Sequence, residues 1–153
     1  MRRDLTLETT LPHPPSTVWR ALTDPEALSE WLMPVHDFAP VVGHHFQLRA
    51  KPMPGWDGVI EGKVLEVDEP HRLAYSWKGR RMRNTTTVRW TLTALADDAG
   101  TQLRLDHQGF EGPSGAILAF MHRSGWKKFT TGRLPSYLLA QATGTTTGSE
   151  TTT

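Results

Sequence analysis

The longest apolar segment of the chain, residues 114–142, is the feature that most constrains how the rest can fold. It is the only segment long enough for a helix of several turns, whereas residues 44–107 contain short runs in which apolar and polar residues alternate, as they do in β-strands. A sheet that is apolar on one face must bury that face against another element. The sequence therefore predicts a sheet that closes over one long C-terminal helix.

Six alternating runs predict the strands: residues 5–9, 46–50, 59–67, 73–77, 88–92 and 103–107. Turn residues separate most of them at roughly ten-residue spacing, which favours an antiparallel sheet. Gly62 indicates a bulge or a close backbone approach within the third run. Two short helices follow the first strand, and Pro25 divides them, with a capping oxygen from Thr23 or Asp24. The predicted class is α+β: a curved antiparallel sheet of about six strands around a long C-terminal α-helix.

The terminal helix should change its phase along its length. At about 100° per residue, one side of it carries Ile117, Leu118, Met121, Gly125 and Phe129, and His122 and Trp126 extend that arc. Leu134 and Leu138 fall on the wrong side if the helix stays regular. Gly132 and Pro135 favour a kink or break near Arg133, which would return Leu134, Leu138 and Leu139 to the sheet. We also expect the Pro135 end to be the mouth or lid of any cavity.

Composition excludes several classes of protein. The chain has 153 residues, enough for one domain over residues 1–142, and the Thr-rich residues 143–153 predict a disordered tail. Its 17 Lys and Arg against 16 Asp and Glu give no general attraction to nucleic acid or anionic membranes. It has no Cys, which excludes disulfides and thiolate metal sites. No apolar run reaches the ~20 residues of a membrane span, so we expect no membrane insertion and a cytoplasmic location.

Four stretches resemble a known family. Residues 18–28 (VWRALTDPEAL) with Trp31, residues 58–68 (GVIEGKVLEVD), residues 101–110 (TQLRLDHQGF) and the pair Gly125-Trp126 occur in the order seen in the START-like, helix-grip superfamily. They resemble more narrowly the domain named after activators of the ninety-kilodalton heat-shock chaperone's ATPase. The resemblance covers nearly all of residues 5–140 and implies a helix-grip fold with a cavity between sheet and helix. It implies no shared catalytic motif, since members of the superfamily differ in function.

The candidate site residues follow from these patterns. His107 and His122 could orient a polar group of a ligand or move a proton, although a buried, hydrogen-bonded histidine is the commoner situation. Aromatic side chains could form the walls of the pocket. The candidates for lining it are Trp31, Phe46, Trp77, Trp90, His107, Phe110, Met121, His122, Trp126 and Phe129.

Two other clusters are weaker candidates. His44 and His45 point to opposite faces of a strand and cannot chelate one ion together, so we expect no metal and no cofactor. Lys78, Arg80, Arg81 and Arg83 form a basic hairpin tip that is most simply a solvated turn.

Three functions fit the sequence. The leading hypothesis is a module that binds a small apolar or amphipathic ligand, without recognisable catalysis and with a role in stress response. The second is a chaperone ATPase co-regulator that acts through its surface. The third is a cyclase- or hydratase-type enzyme, which requires at least two titratable groups converging in the cavity. A homodimer is a further expected partner arrangement, and nucleic acid is not expected as a partner.

Overall fold

A computed structural model describes residues 2–54, 56–79, 82, 84–96 and 99–143. The predicted tail beyond residue 143, and Arg80, Arg81 and Arg83 of the basic tip, lie outside these residues. The elements follow one another in this order: β1 (Arg2–Leu11), α1 (Pro15–Thr23), α2 (Pro25–Trp31), β2 (Val35–His36), β3 (His45–Arg49), β4 (Val59–Asp68), β5 (Arg72–Gly79), β6 (Thr86–Ala94), β7 (Thr101–Glu111), α3 (Gly112–Lys128), a π-turn (Phe129–Arg133) and α4 (Leu134–Thr143).

The strands form one antiparallel sheet in the order β1-β7-β6-β5-β4-β3-β2. The predicted class, an α+β helix-grip fold, is confirmed. The sheet has seven strands instead of six, because two residues of the predicted loop, Val35 and His36, pair with Leu48 and Gln47. Such a short edge strand has no periodicity that a sequence could reveal.

The apolar residues of the alternating runs lie on the face of the sheet that is turned toward the interior. The buried residues of β6 and β7 occupy alternate positions, including Val88, Trp90, Leu103 and Leu105. Gly62 provides the predicted close approach, since a Cβ there would lie 2.4 Å from the Phe46 ring. The bulge in this strand falls farther along, between Val64 and Glu66.

Pro25 divides the two short helices, as predicted, and they contact the sheet, α1 at β6 and α2 at β2. Asp24 ends α1 and caps α2, and its side-chain oxygen accepts a hydrogen bond from the Glu26 amide at 3.1 Å. The buried Trp31 indole donates to the Ala21 carbonyl at 2.8 Å, which fastens α2 to α1. Both helices contact α4.

The C-terminal helix continues from α3 to α4 through the π-turn without a break. On a regular α-helix Lys127 and Arg123 would lie within about 20° of Leu134, since each residue advances about 100°. The π-turn, in which the Leu134 amide donates to the Phe129 carbonyl five residues back, inserts in effect one extra residue. Trp126 and His122 therefore share the inward face with Leu134.

This geometry corrects part of the predicted phase. The phase does change between Phe129 and Arg133, and Leu134 and Leu138 are buried as predicted, but Leu139 is exposed. The predictions that Ile117 and Met121 face the sheet are wrong, because both are exposed on the outer side of α3. The residues that face inward along α3 are Gly115, Leu118, Ala119, His122 and Trp126. A mouth at the Pro135 end stays a prediction, which the burial of Leu134 and Leu138 does not favour.

Candidate functional site

A cluster of aromatic and imidazole rings lies between the sheet and α3. Strands β5 and β7 supply Trp77, His107 and Phe110, and α3 supplies His122 and Trp126. Neighbouring rings meet edge-on or tilted, with centroids 4.5–6.1 Å apart. These are the arrangements that aromatic quadrupoles prefer. We call these five residues the aromatic cluster.

His107 is fully buried at the centre of the cluster, and both of its ring nitrogens are hydrogen-bonded. The Trp126 indole donates to Nδ1 at 2.9 Å, so Nδ1 carries no proton. Nε2 lies 2.7 Å from the Thr86 hydroxyl, which itself donates to the Trp77 carbonyl at 2.8 Å. Because that hydroxyl proton is already used, Nε2 must be the protonated nitrogen and the donor. The His107 imidazole is therefore the neutral Nε2–H tautomer.

His122 takes the opposite tautomer by the same reasoning. The Trp77 indole donates to its Nε2 at 3.1 Å, and its Nδ1 lies 2.8 Å from the Leu118 carbonyl, which can only accept. Nδ1 is therefore protonated and Nε2 is not. The two imidazole centroids lie 5.2 Å apart, a proximity that the sequence could not reveal.

Burial keeps both imidazoles uncharged. Desolvation, followed by the proximity of His122, lowers the pKa of His107 from 6.5 to about 2. Desolvation also lowers the pKa of His122, and the hydrogen bond to the Leu118 carbonyl opposes part of that shift. In this conformation each imidazole lone pair accepts from an indole, so neither ring has a free basic nitrogen.

A second polar pair lies deeper under the sheet. The Trp90 indole, whose ring meets that of Trp126 at 5.5 Å, donates to the buried Tyr75 hydroxyl at 2.9 Å. Burial raises the pKa of Tyr75, so the phenol stays protonated. Its ring packs edge-on against Phe38 and Phe46. The interior thus combines large aromatic surfaces with a few uncharged polar groups.

Comparison with known proteins identifies the family. The sequence model of the activator of Hsp90 ATPase homolog 1-like proteins matches residues 12–138. The chain belongs to this family. The predicted resemblance is therefore confirmed. No curated protein sequence matches the chain.

Solved structures support the assignment to the activator of Hsp90 ATPase homolog 1-like family. Protein MLL2253 from Mesorhizobium loti is 34% identical with a TM-score of 0.79, and the match covers 91% of this chain and 98% of that one. DynU16, from the dynemicin biosynthetic locus, is 27% identical with a TM-score of 0.71, over 90% of this chain and 48% of that one. Protein BH1534 from Bacillus halodurans, at 23% identity and a TM-score of 0.73, covers 89% of this chain and 96% of that one and shows the fold alone.

The rings of the aromatic cluster contact one another directly, and two depressions lie outside the cluster. A depression between β1, β7 and the π-turn, which Trp90 and Thr130 help to line, has no room for a water molecule. A larger depression of about 250 Å³ lies at the β2–β4 edge and opens to solvent, away from the aromatic cluster. Its lining residues are His36, Asp37, His45, Phe46, Gln47, Glu61 and Gly62. Neither of these two depressions lies at the aromatic cluster.

The structure brings most of the predicted pocket residues together. His122 and Phe129 are partly buried. The fully buried ones are Trp31, Phe46, Trp77, Trp90, His107, Phe110 and Trp126. Met121 is the exception, because the π-turn rotates it outward. Contact of these residues with a ligand stays a prediction. Sequence reasoning missed Thr86 and Tyr75, although both are in phase with the buried residues of their strands.

The weaker clusters add no further site. His44 Nε2 contacts the Asp37 carbonyl oxygen and lies 3.6 Å from an Asp37 carboxylate oxygen. Among the described residues, no group of three or more His, Asp or Glu side chains could hold a metal ion. Lys78 of the basic tip donates to the Met82 carbonyl at 3.0 Å. Within the described part of the chain, no helix is long and apolar enough to cross a bilayer.

Proposed function

We propose that this protein binds a small apolar or amphipathic molecule between the sheet and α3, at the aromatic cluster. The observation that carries the proposal is the composition of the cluster: large aromatic rings surround two uncharged imidazoles in an otherwise apolar interior. Ligand sites in proteins are built this way, from apolar walls with a few polar groups that orient the ligand. The family and fold are compatible with such a site.

Binding at the aromatic cluster requires the N-terminal half of α3 to move outward, because the rings of the cluster are in direct contact with one another. This segment is loosely held. Among the residues from 112 to 121 whose burial is described, only Gly115 is fully buried, while Ile117, Phe120 and Met121 project away from the sheet. Segments with few buried apolar contacts open at the lowest free-energy cost. The mouth of the site therefore lies at the N-terminal end of α3.

The hydrogen bonds of the cluster favour a ligand with an acceptor atom. If α3 moves, the Trp77 indole loses its His122 acceptor, and a buried unpaired N–H costs about 1–3 kcal/mol. A carbonyl or carboxylate oxygen on the ligand would replace that acceptor. Apolar surface that the ligand buries against the rings adds about 25 cal/mol per Å² before the costs of binding and opening.

Native mass spectrometry of protein purified from its own source tests the proposal directly, since we expect a co-purifying molecule. Dodecanoate and 1-anilinonaphthalene-8-sulfonate are suitable probes, because the emission of Trp77 and Trp126 should change saturably as either one binds. His122→Phe keeps a ring but leaves the Trp77 indole N–H without an acceptor in the closed protein, so dodecanoate, whose carboxylate supplies one, should bind about tenfold more tightly, the value of one hydrogen bond. His71→Gln, an exposed histidine outside both depressions, is the matched control and should bind normally. No co-purifying molecule, together with no saturable emission change for either probe, would refute the proposal.

The other two functions have less support. Two titratable groups do converge, as the enzyme hypothesis requires, but both imidazole lone pairs are occupied by indole donors. The chaperone hypothesis rests on the family name and stays a prediction. Unchanged ATP turnover by the chaperone in the presence of this protein would count against it.

A further inference from the structure

The outer face of α3 carries an exposed apolar patch followed by a basic one. Ile117, Phe120 and Met121 are 63%, 74% and 60% exposed, and their spacing places them together on successive turns. Lys127 and Lys128 follow two turns later on the same side and are also exposed. We call these five residues the α3 outer surface.

The charge of this surface differs from that of the rest of the protein. Residues 112–143 contain four basic residues and no acidic one, which leaves 13 basic against 16 acidic residues elsewhere. Among the described residues, no carboxylate lies within ion-pair distance of Lys127 or Lys128. The near-neutral net charge of the chain is therefore the sum of a positive C-terminal helical segment and a negative remainder.

We infer that the α3 outer surface docks on an anionic lipid membrane. A helix in the membrane interface buries an apolar face among the headgroups and presents basic residues to anionic lipids. The partner is unlike a folded protein, because an aromatic side chain buries about 150–250 Å² and Ile or Met no more, so the three apolar side chains do not reach the about 800 Å² per partner of a standard interface. A membrane needs no complementary shape, and three apolar side chains with adjacent lysines are sufficient for reversible attachment.

Docking also has a consequence for the proposed mouth of the site. The apolar side chains lie on the half of α3 that buries least against the sheet, so the membrane would contact that half directly. The docking inference does not depend on a ligand, since the patch and its charge exist in the closed conformation.

Vesicle flotation tests the inference. The protein should float with phosphatidylcholine vesicles that contain one-third phosphatidylserine, bind much less to pure phosphatidylcholine vesicles, and dissociate as salt rises. Lys127→Gln with Lys128→Gln should lower partitioning about 25-fold, or about 5-fold per lysine, since each is worth about 1 kcal/mol near such a surface. Ile117→Ser with Met121→Ser should lower it at least about tenfold.

Matched controls make the test specific. Lys51→Gln with Lys63→Gln removes the same charge from exposed positions elsewhere, and Val41→Ser with Val42→Ser removes apolar side chains that are 59% and 62% exposed. Both control variants should float like the unaltered protein. Equal binding to neutral and anionic vesicles, or equal losses in test and control variants, would overturn the inference. The inference would also be overturned if the protein bound no vesicles and a co-purifying protein were lost only from the α3 variants. Dodecanoate titration reads the ligand site separately, so the two proposals can fail independently.

Discussion

Acidification should destabilise this protein well above the pH at which its carboxylates titrate. His107 is neutral in the folded state because burial lowers its pKa from 6.5 to about 2. In the unfolded chain the same imidazole regains its ordinary pKa and binds a proton below pH 6.5. The unfolded state therefore binds more protons than the folded state between pH 2 and 6.5, so stability falls as pH falls through this window.

The magnitude follows from the width of the window. Each pH unit below 6.5 costs about 1.4 kcal/mol, so moving from pH 7 to pH 5 should lower the free energy of unfolding by about 2 kcal/mol through His107 alone. His122 contributes in the same direction, since its pKa is also lowered. Asp106 does not contribute to this slope, because its carboxyl titrates below pH 5. Burial raises the pKa of that carboxyl, but hydrogen bonds from Arg104 and Thr6 outweigh burial and bring the pKa below 3.8.

Urea denaturation followed by Trp emission at a series of pH values from 5 to 7 measures the effect. His107→Asn should be less stable at pH 7, because the shorter amide reaches the position of Nδ1 but not that of Nε2 and so leaves Thr86 without its partner, and its stability should depend less steeply on pH. His45→Gln should keep the slope of the unaltered protein. The reasoning is wrong if stability is flat between pH 7 and 5, or if His107→Asn retains the full slope.

Three further predictions concern the same region. Nitrogen NMR should find the proton on Nε2 of His107 and on Nδ1 of His122, and the same tautomer at both would contradict the network. Thr86→Val should cost about 1–3 kcal/mol in urea denaturation, because it leaves the His107 Nε2–H without an acceptor; a neutral effect would show that another group accepts it. Gly125→Ala should raise the free energy of unfolding by about 0.5–1 kcal/mol, since an added Cβ meets nothing within 4 Å. Gly115→Ala should lower the free energy of unfolding, because its Cβ would lie 3.0 Å from the Phe110 carbonyl carbon. An equal response of the two glycine variants would contradict the packing of α3.

The sequence predicted the fold well where periodicity and capping carry the information. The six longer strands and the division of α1 from α2 at Pro25 depend on residues within a few positions of one another. The two-residue β2 depends instead on a partner strand about a dozen residues away, and no local pattern identifies it. Local signals therefore predict elements, while edge pairing is decided by contacts that the sequence does not display.

The candidate site was predictable in its members but not in its connections. Alternation places Trp77, Trp90 and His107 on the inward face, and this requires only the period of a strand. The hydrogen bonds that fix the two tautomers cross between β5, β6, β7 and α3. A helical wheel shows that His122 lies near the apolar arc, but it cannot show that Trp77 donates to it. The direct contacts between the rings of the cluster are likewise a property of packing.

The inward face of α3 shows why a helical wheel alone chose the wrong residues. A wheel ranks faces by apolar content, and by that measure Ile117 and Met121 should lie inside. The π-turn instead fixes the phase of α3 relative to α4, where Leu134 and Leu138 are buried. With those leucines buried, the inward positions one and two turns before the π-turn are those of Trp126 and His122. Trp126 is hydrogen-bonded to His107, and His122 to Trp77. Aliphatic side chains at these positions would leave those buried polar groups unpaired. The same rotation exposes Ile117 and Met121, so the α3 outer surface and the aromatic cluster are two consequences of one π-turn.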